Sequence, residues 1–163
     1  MKKKSLLPIS ARGQSLVELA ISLVILLYLL SGATEFAIVL FQYVQLRDAA
    51  QEGALYGSIH PADFAGIEAR ARASSNSPIN LEDLAAAYPA KVQIYIDDNL
   101  VWEDGVDQGF NVTTPPIACE AHALKVIVSY DHHIFMPFMP QILNQTDIPL
   151  EAEVIDTILT PEC

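Results

Sequence analysis

The sequence predicts an α+β protein in which a long N-terminal transmembrane helix continues into a small domain with an antiparallel sheet packed on that helix. Three observations lead there. Between Gly13 and Leu40 nearly every residue is apolar or small, the composition of a membrane helix. Ala49, Gly53 and Gly57 then recur every four residues, a spacing that lets another backbone approach closely. From Val92 onward the apolar period becomes alternating, as in Val92, Ile94 and Ile96, the mark of half-buried strands. A chain of 163 residues has room beside such a helix for one small soluble domain with one core. The expected divisions are a cytoplasmic leader over residues 1–13, a hydrophobic helix over 14–58 and an exported α+β domain over 59–163.

Lys2, Lys3, Lys4 and Arg12 precede the apolar run, and the rest of the chain carries five basic residues against 20 acidic ones, a net charge of −15. Basic flanks stay on the cytoplasmic side of a spanning helix. The leader is therefore expected in the cytoplasm and the acidic domain outside it, as a single-pass membrane protein. So acidic a domain repels nucleic acid, which is not expected as a partner.

Glu18 is the anomaly of the apolar run. A carboxylate inside a bilayer is costly and needs a partner. Proteolysis after Gly13 would supply one, because Gln14 would become the N-terminus and its α-ammonium would lie about one helical turn from Glu18. The carboxylate would offset that charge and the positive end of the helix dipole, within one chain or between neighbouring subunits. Glycine at the last leader position and glutamate at the fifth mature position resemble the processing pattern of type IV prepilins. That resemblance implies a pilin-like fold, cleavage between Gly13 and Gln14 by a prepilin peptidase on the cytoplasmic face, and an assembly role for Glu18.

From Leu19 to Thr34 there are 16 consecutive uncharged residues, which rise about 24 Å as a helix, short of a hydrocarbon core of about 30 Å. The span is expected to use part of Phe36–Leu40, to tilt or to thin the bilayer. At 100° per residue, Ser31, Glu35, Gln42 and Gln45 form one polar stripe, so one face of the helix is committed to protein or water. Glu35 either reaches headgroup water at the outer interface or makes an assembly contact with a neighbouring helix.

The helical pattern continues to Ser58, with no proline before Pro61. The small residues Ala49, Gly53 and Gly57 fit helix-on-sheet packing, with helix–helix assembly as the alternative. Gly13-Gln14-Ser15-Leu16-Val17-Glu18 and Ala50-Gln51-Glu52-Gly53-Ala54 resemble the two marks of the TadE family of pseudopilins from tight-adherence (Flp) pili. Gln51 and Leu55 stand where that family often has arginine, and Leu19 stands where the major pilins usually have tyrosine. The resemblance implies a minor pilin of a type IVc pilus, with the prepilin peptidase, other pilins and pseudopilins, the inner-membrane assembly platform and membrane lipid as partners.

Asp63 is expected to cap a short helix to Ala73, with Arg70 and Arg72 suited to its last turn. Ser74–Pro78 reads as a polar linker. Asn80 with Asp83 reads as a capping pattern for a helix ended by Tyr88-Pro89. Val92–Ile96 predicts a strand, Asp98-Asn99 a turn and Leu100–Trp102 a return strand. A long loop follows over Gly105–Pro116. Ala121–Tyr130 is the clearest strand, Phe135–Pro140 an apolar connection whose prolines prevent a long helix, and Pro149–Leu159 a last strand.

The cysteines are Cys119 and Cys163. If the strands 121–130 and 150–159 pair as an antiparallel hairpin, opposed residues have numbers summing to about 280, and the cysteines sum to 282. They would then lie within reach of a disulfide, permitted outside the cytoplasm and worth roughly 3 to 4 kcal/mol in the chain-entropy account. Two free thiols or an intermolecular bridge are the alternatives. The Val126–Tyr130 strand, the proline-containing loop and the final strand are similar to the closing segment of TadE-like proteins.

Signals for catalysis are poor, and no cofactor is expected. His122, His132 and His133 lack metal-ligand spacing, and adjacent histidines at a strand end point to opposite faces. Asp97, Asp98, Glu103, Asp104 and Asp107 lack the twelve-residue calcium-loop pattern and read as solvated turn residues. No phosphate loop, nucleophile elbow or dinucleotide fingerprint is present. Asn111 and Asn144 begin glycosylation sequons. Two other classes compete: a secreted binding protein cut after Ala33 of Ser31-Gly32-Ala33, and a single-span sensor with an uncleaved anchor.

Overall fold

The computed structural model describes residues 11–75, 79–86, 88–109, 121–137 and 139–159. Helix α1, Ala11–Ile59, is followed by α2 (Phe64–Ala73), strands β1 (Lys91–Ile96), β2 (Asn99–Glu103), β3 (Val106–Asp107) and β4 (Ala123–His133), the short α3 (Met139–Leu143) and β5 (Asp147–Thr157). All strand pairs are antiparallel, and the sheet order is β3-β2-β1-β4-β5. The expected α+β class holds: one sheet face packs on α1 and α2, and the other carries Lys91, Gln93, Tyr95, Lys125 and Glu153.

Helix α1 has two environments. Large apolar residues from Leu16 to Leu30 are 53–70% exposed, and the helix is long and apolar enough to cross a membrane, with a mean hydropathy of 2.3 over an 18-residue stretch. Beyond Phe41, a stripe of Gln42, Leu46, Ala49, Ala50, Gly53, Ala54 and Gly57 is buried. The small residues set the distance to the domain. A Cβ added at Gly53 would lie 3.2 Å from Ala71 Cβ and 3.3 Å from Val126 Cγ1, whereas one at Gly57 would overlap Leu124 Cδ2 and come within 2.8 Å of Ile67 Cδ1. These glycines face sheet and α2, as helix-on-sheet packing requires.

The sheet answers with β-branched residues. Val92, Ile94 and Ile96 of β1 oppose Val128, Val126 and Leu124 of β4, all fully buried. A β-bulge in β2 turns Val101 inward, because Ile94 opposes Trp102 while Tyr95 opposes Leu100. The β4–β5 pairing runs from Ala123 opposite Thr157 to His133 opposite Asp147, the summed register expected from the sequence. Pro149 is accommodated because β5 is an edge strand.

Several local expectations are corrected. Residues 79–86 form turns in place of the expected helix: Asn80 Oδ1 accepts from the Glu82 N–H and Asp83 Oδ1 from the Ala85 N–H. Short acidic and amide side chains bonding two residues ahead compete with helix formation. The β1–β2 turn is centred on Asp97-Asp98, with φ of 48° and 65°, one residue earlier than expected; both residues take the left-handed conformation of a tight hairpin turn. Asp104-Gly105, with φ of 45° and 82°, makes a second such turn and leads into β3, inside the expected loop. Strand β4 continues three residues past Tyr130.

Asp63 caps α2 as expected, its Oδ1 accepting from the Gly66 N–H at 3.0 Å. Arg72, expected to complement the helix dipole, is instead buried. It bonds Glu68 Oε1 at 2.6 Å, the carbonyls of Leu81 and Ala90, and Asp104 Oδ1 at 2.9 Å. Glu68 Oε2 in turn accepts from Trp102 Nε1 and the Gly105 N–H. This network ties α2 to the β2–β3 hairpin with every charge paired, the condition under which buried ions are tolerated.

Gly57→Val is expected to lower the stability of the full chain in detergent by about 1 to 3 kcal/mol through overpacking, read from its denaturant midpoint. A midpoint equal to or above the parent's would show that the α1–β4 contact is not close-packed there.

Candidate processing and assembly site

Gly13, Gln14 and Glu18 all lie on the exposed N-terminal part of α1. A Cβ at Gly13 would meet nothing within 4 Å, so the fold of the described residues places no packing demand on glycine there. Glu18 makes no hydrogen bond or ion pair with the described residues. At 100° per residue it lies roughly a quarter turn around the helix from Glu35. The two carboxylates considered for assembly therefore occupy different faces of α1.

Glu35 faces the domain. Its Oε1 accepts from the Phe135 backbone N–H at 2.7 Å and lies 3.3 Å from Nε2 of His132, a buried side chain at the end of β4. The polar stripe of Ser31, Glu35, Gln42 and Gln45 is thus the domain-facing side of α1; Gln45 Nε2 donates to Ser75 Oγ at 2.8 Å. One turn and two turns nearer the N-terminus the contact continues. Gly32 faces Met136, and Tyr28 Oη donates to the Pro137 carbonyl at 2.8 Å. The β4–β5 connection therefore descends along the helix, a feature with no local sequence signal beyond its lack of charge.

The histidines and carboxylates weighed as metal ligands have other partners. His132 meets Glu35, His133 Nδ1 lies 2.9 Å from Asp147, and His122 pairs with Asp97. His122 as hydrogen-bond partner, with the Ala123 N–H, holds the Asp97 carboxyl below its usual range. The Thr146 hydroxyl and then His133 do the same for Asp147. Asp98 pairs with Lys125 at 2.6 Å and raises that ammonium's pKa, Glu103 accepts from Gln93, and Asp107 from the Gly109 N–H. Among the described residues no three potential ligands converge on one point. Cys119, Cys163 and the Asn111 sequon lie outside the described residues.

Comparison with known families matches residues 13–55 to TadE-like protein. The match begins at the proposed junction glycine and ends within the buried stripe of α1. No curated protein and no solved structure matches the chain.

Glu35→Ala removes a charged acceptor, and hydrogen bonds of that kind contribute about 1.5 to 3 kcal/mol. Amide exchange at Phe135 is expected to accelerate by roughly 10- to 100-fold, with exchange in β1 unchanged. Equal protection in variant and parent would show that Glu35 does not hold the connection.

Proposed function

We propose that this chain, TadE-like over residues 13–55, is a minor pilin or pseudopilin of a tight-adherence type IV pilus, cut by a prepilin peptidase between Gly13 and Gln14. The observation that carries the reading is the state of the α1 N-terminus. The Gly13–Glu18 motif stands clear of the folded domain, exposed to a peptidase and to neighbouring helices. The short basic leader stays in the cytoplasm, α1 anchors the protein in the membrane, and the acidic domain is exported. After cleavage, the Gln14 ammonium is the partner that Glu18 lacks within the described residues. The exposed apolar faces of α1 pack with other pilins and pseudopilins on the assembly platform. Glu35 supports assembly indirectly, by fixing where the domain sits on the helix.

The secreted-protein alternative fits poorly. Cleavage after Ala33 would cut a continuous helix and remove the Tyr28 and Gly32 contacts to the β4–β5 connection.

The cysteines complete the proposal. Backbone bonds from Ala121 N–H to the Ile158 carbonyl and from Ile158 N–H to the His122 carbonyl carry the β4–β5 register to the strand ends. That register supports an intrachain disulfide between Cys119 and Cys163 in the oxidising exterior.

The mature protein is expected to begin at Gln14. Gly13→Leu should remain full length, and Glu18→Ala should be cleaved yet fail to enter pili. A mature start at Thr34 or Met1, or normal piliation of Glu18→Ala, would overturn the assignment. For the cysteines, the exported protein should show no titratable thiol before reduction, and reduction should lower stability by roughly 3 to 4 kcal/mol. Free thiols in freshly purified protein would exclude the bridge.

A further inference from the structure

We infer that the described residues of the β4–β5 connection, Ile134–Pro137 and the short helix α3, insert into the outer leaflet as a second membrane contact beside α1. The inference rests on α1 being the membrane span. No Asp, Glu, Lys or Arg occurs between His133 and Asp147. The connection lies against the apolar part of α1, with Phe135 bonded to Glu35, Met136 against Gly32 and Pro137 bonded to Tyr28. Tyr28 is seven residues before Glu35, so the Pro137 level is about 10 Å further toward the cytoplasmic end of the helix. With Glu35 at the outer edge of the hydrocarbon, Pro137 lies within it; a span extending into Phe36–Leu40 would place the connection deeper still.

The exposed side chains of this connection match that position. Phe135 is 70% and Leu143 46% exposed; Phe135 lines a cleft with Leu30 and Ile38 of α1, and Leu143 lines another with the exposed Phe36. A cleft of about 180 Å³ between connection and helix is lined by apolar Phe36, Val39, Met139 and Leu143, with Glu35 at its side. Lipid as occupant follows from continuity: the same exposed surface runs without a charge down the span from Thr34 to Leu19.

Backbone polarity is met by protein at part of the connection. Irregular backbone at membrane depth is tolerated only where its polar groups are satisfied by protein. Pro137 and Pro140 have no N–H to satisfy. The Ile134 N–H bonds the Thr146 carbonyl, the Phe135 N–H bonds Glu35, and the Met139 N–H bonds the Met136 carbonyl; the Pro137 carbonyl accepts from Tyr28.

The test uses the mature full chain in phosphatidylcholine vesicles at low protein-to-lipid ratio. Its single tryptophan, Trp102, is half-buried against Glu68 in the domain and provides the baseline. Lipids brominated near the headgroup end of the acyl chain should quench more than half of the emission added by Phe135→Trp, and leave the parent and Leu159→Trp unchanged. Leu23→Trp in α1 is the control for the span. Quenching of Leu23→Trp without quenching of Phe135→Trp would overturn the inference and leave the membrane helix standing. It would mean that water, a second copy or another pilin covers the connection. Absence of quenching at both sites would overturn the membrane reading itself.

Discussion

The face of α1 from Glu35 to Gly57 is the contact on which the remainder depends. A helix whose first half suits lipid has little affinity for a water-soluble domain unless one stripe is reserved for it. That stripe is built from small residues where the sheet approaches closely, Ala49, Gly53 and Gly57, and from polar residues where the domain edge meets the apolar half. Because Gly57 sits against Leu124 and Ile67, both the sheet and α2 take their position from the same helical turn. Strands β1 and β5 then follow from their pairing with β4.

The domain's second layer of control is the Glu68–Arg72 pair. Buried ions are rarely a net source of stability, but here the pair reaches four separate segments: α2, the turn at Leu81, the approach to β1 at Ala90 and the β2–β3 hairpin. Asp104 Oδ1 is shared between Arg72 and the Val92 N–H. The polar groups thus define the angle at which the hairpin folds over α2, which apolar contacts alone specify weakly.

What was legible in the sequence was whatever repeats at short range. Period-2 alternation placed β1 and β4, the four-residue spacing of small residues identified the packing face of α1, and antiparallel arithmetic gave the β4–β5 register. The misses are of two kinds. At 80–86 the capping pattern was ambiguous, because the same Asn and Asp that start helices also close turns on their own backbone. At Arg72 and Glu35 the partners lie far off along the chain: Asp104, 32 residues from Arg72, and Phe135, 100 residues from Glu35. A carboxylate in an apolar run announces that it needs a partner, but not whether that partner is water, another subunit or the same chain.

That ambiguity is resolved differently for the two carboxylates of α1: Glu35 has its partners in the same chain, and Glu18 has none among the described residues. Glu35 is taken up by the end of β4 and its connection, so the face it occupies is closed to other helices down to Tyr28. Glu18 stands a quarter turn away and below the lowest domain contact, where no described residue meets it. In the proposed assembly, neighbouring helices approach the N-terminal part of α1 without displacing the sheet. A subunit with both carboxylates on one face would have to exchange one contact for the other on assembly. This chain keeps them apart by helical phase and by about 25 Å along the axis.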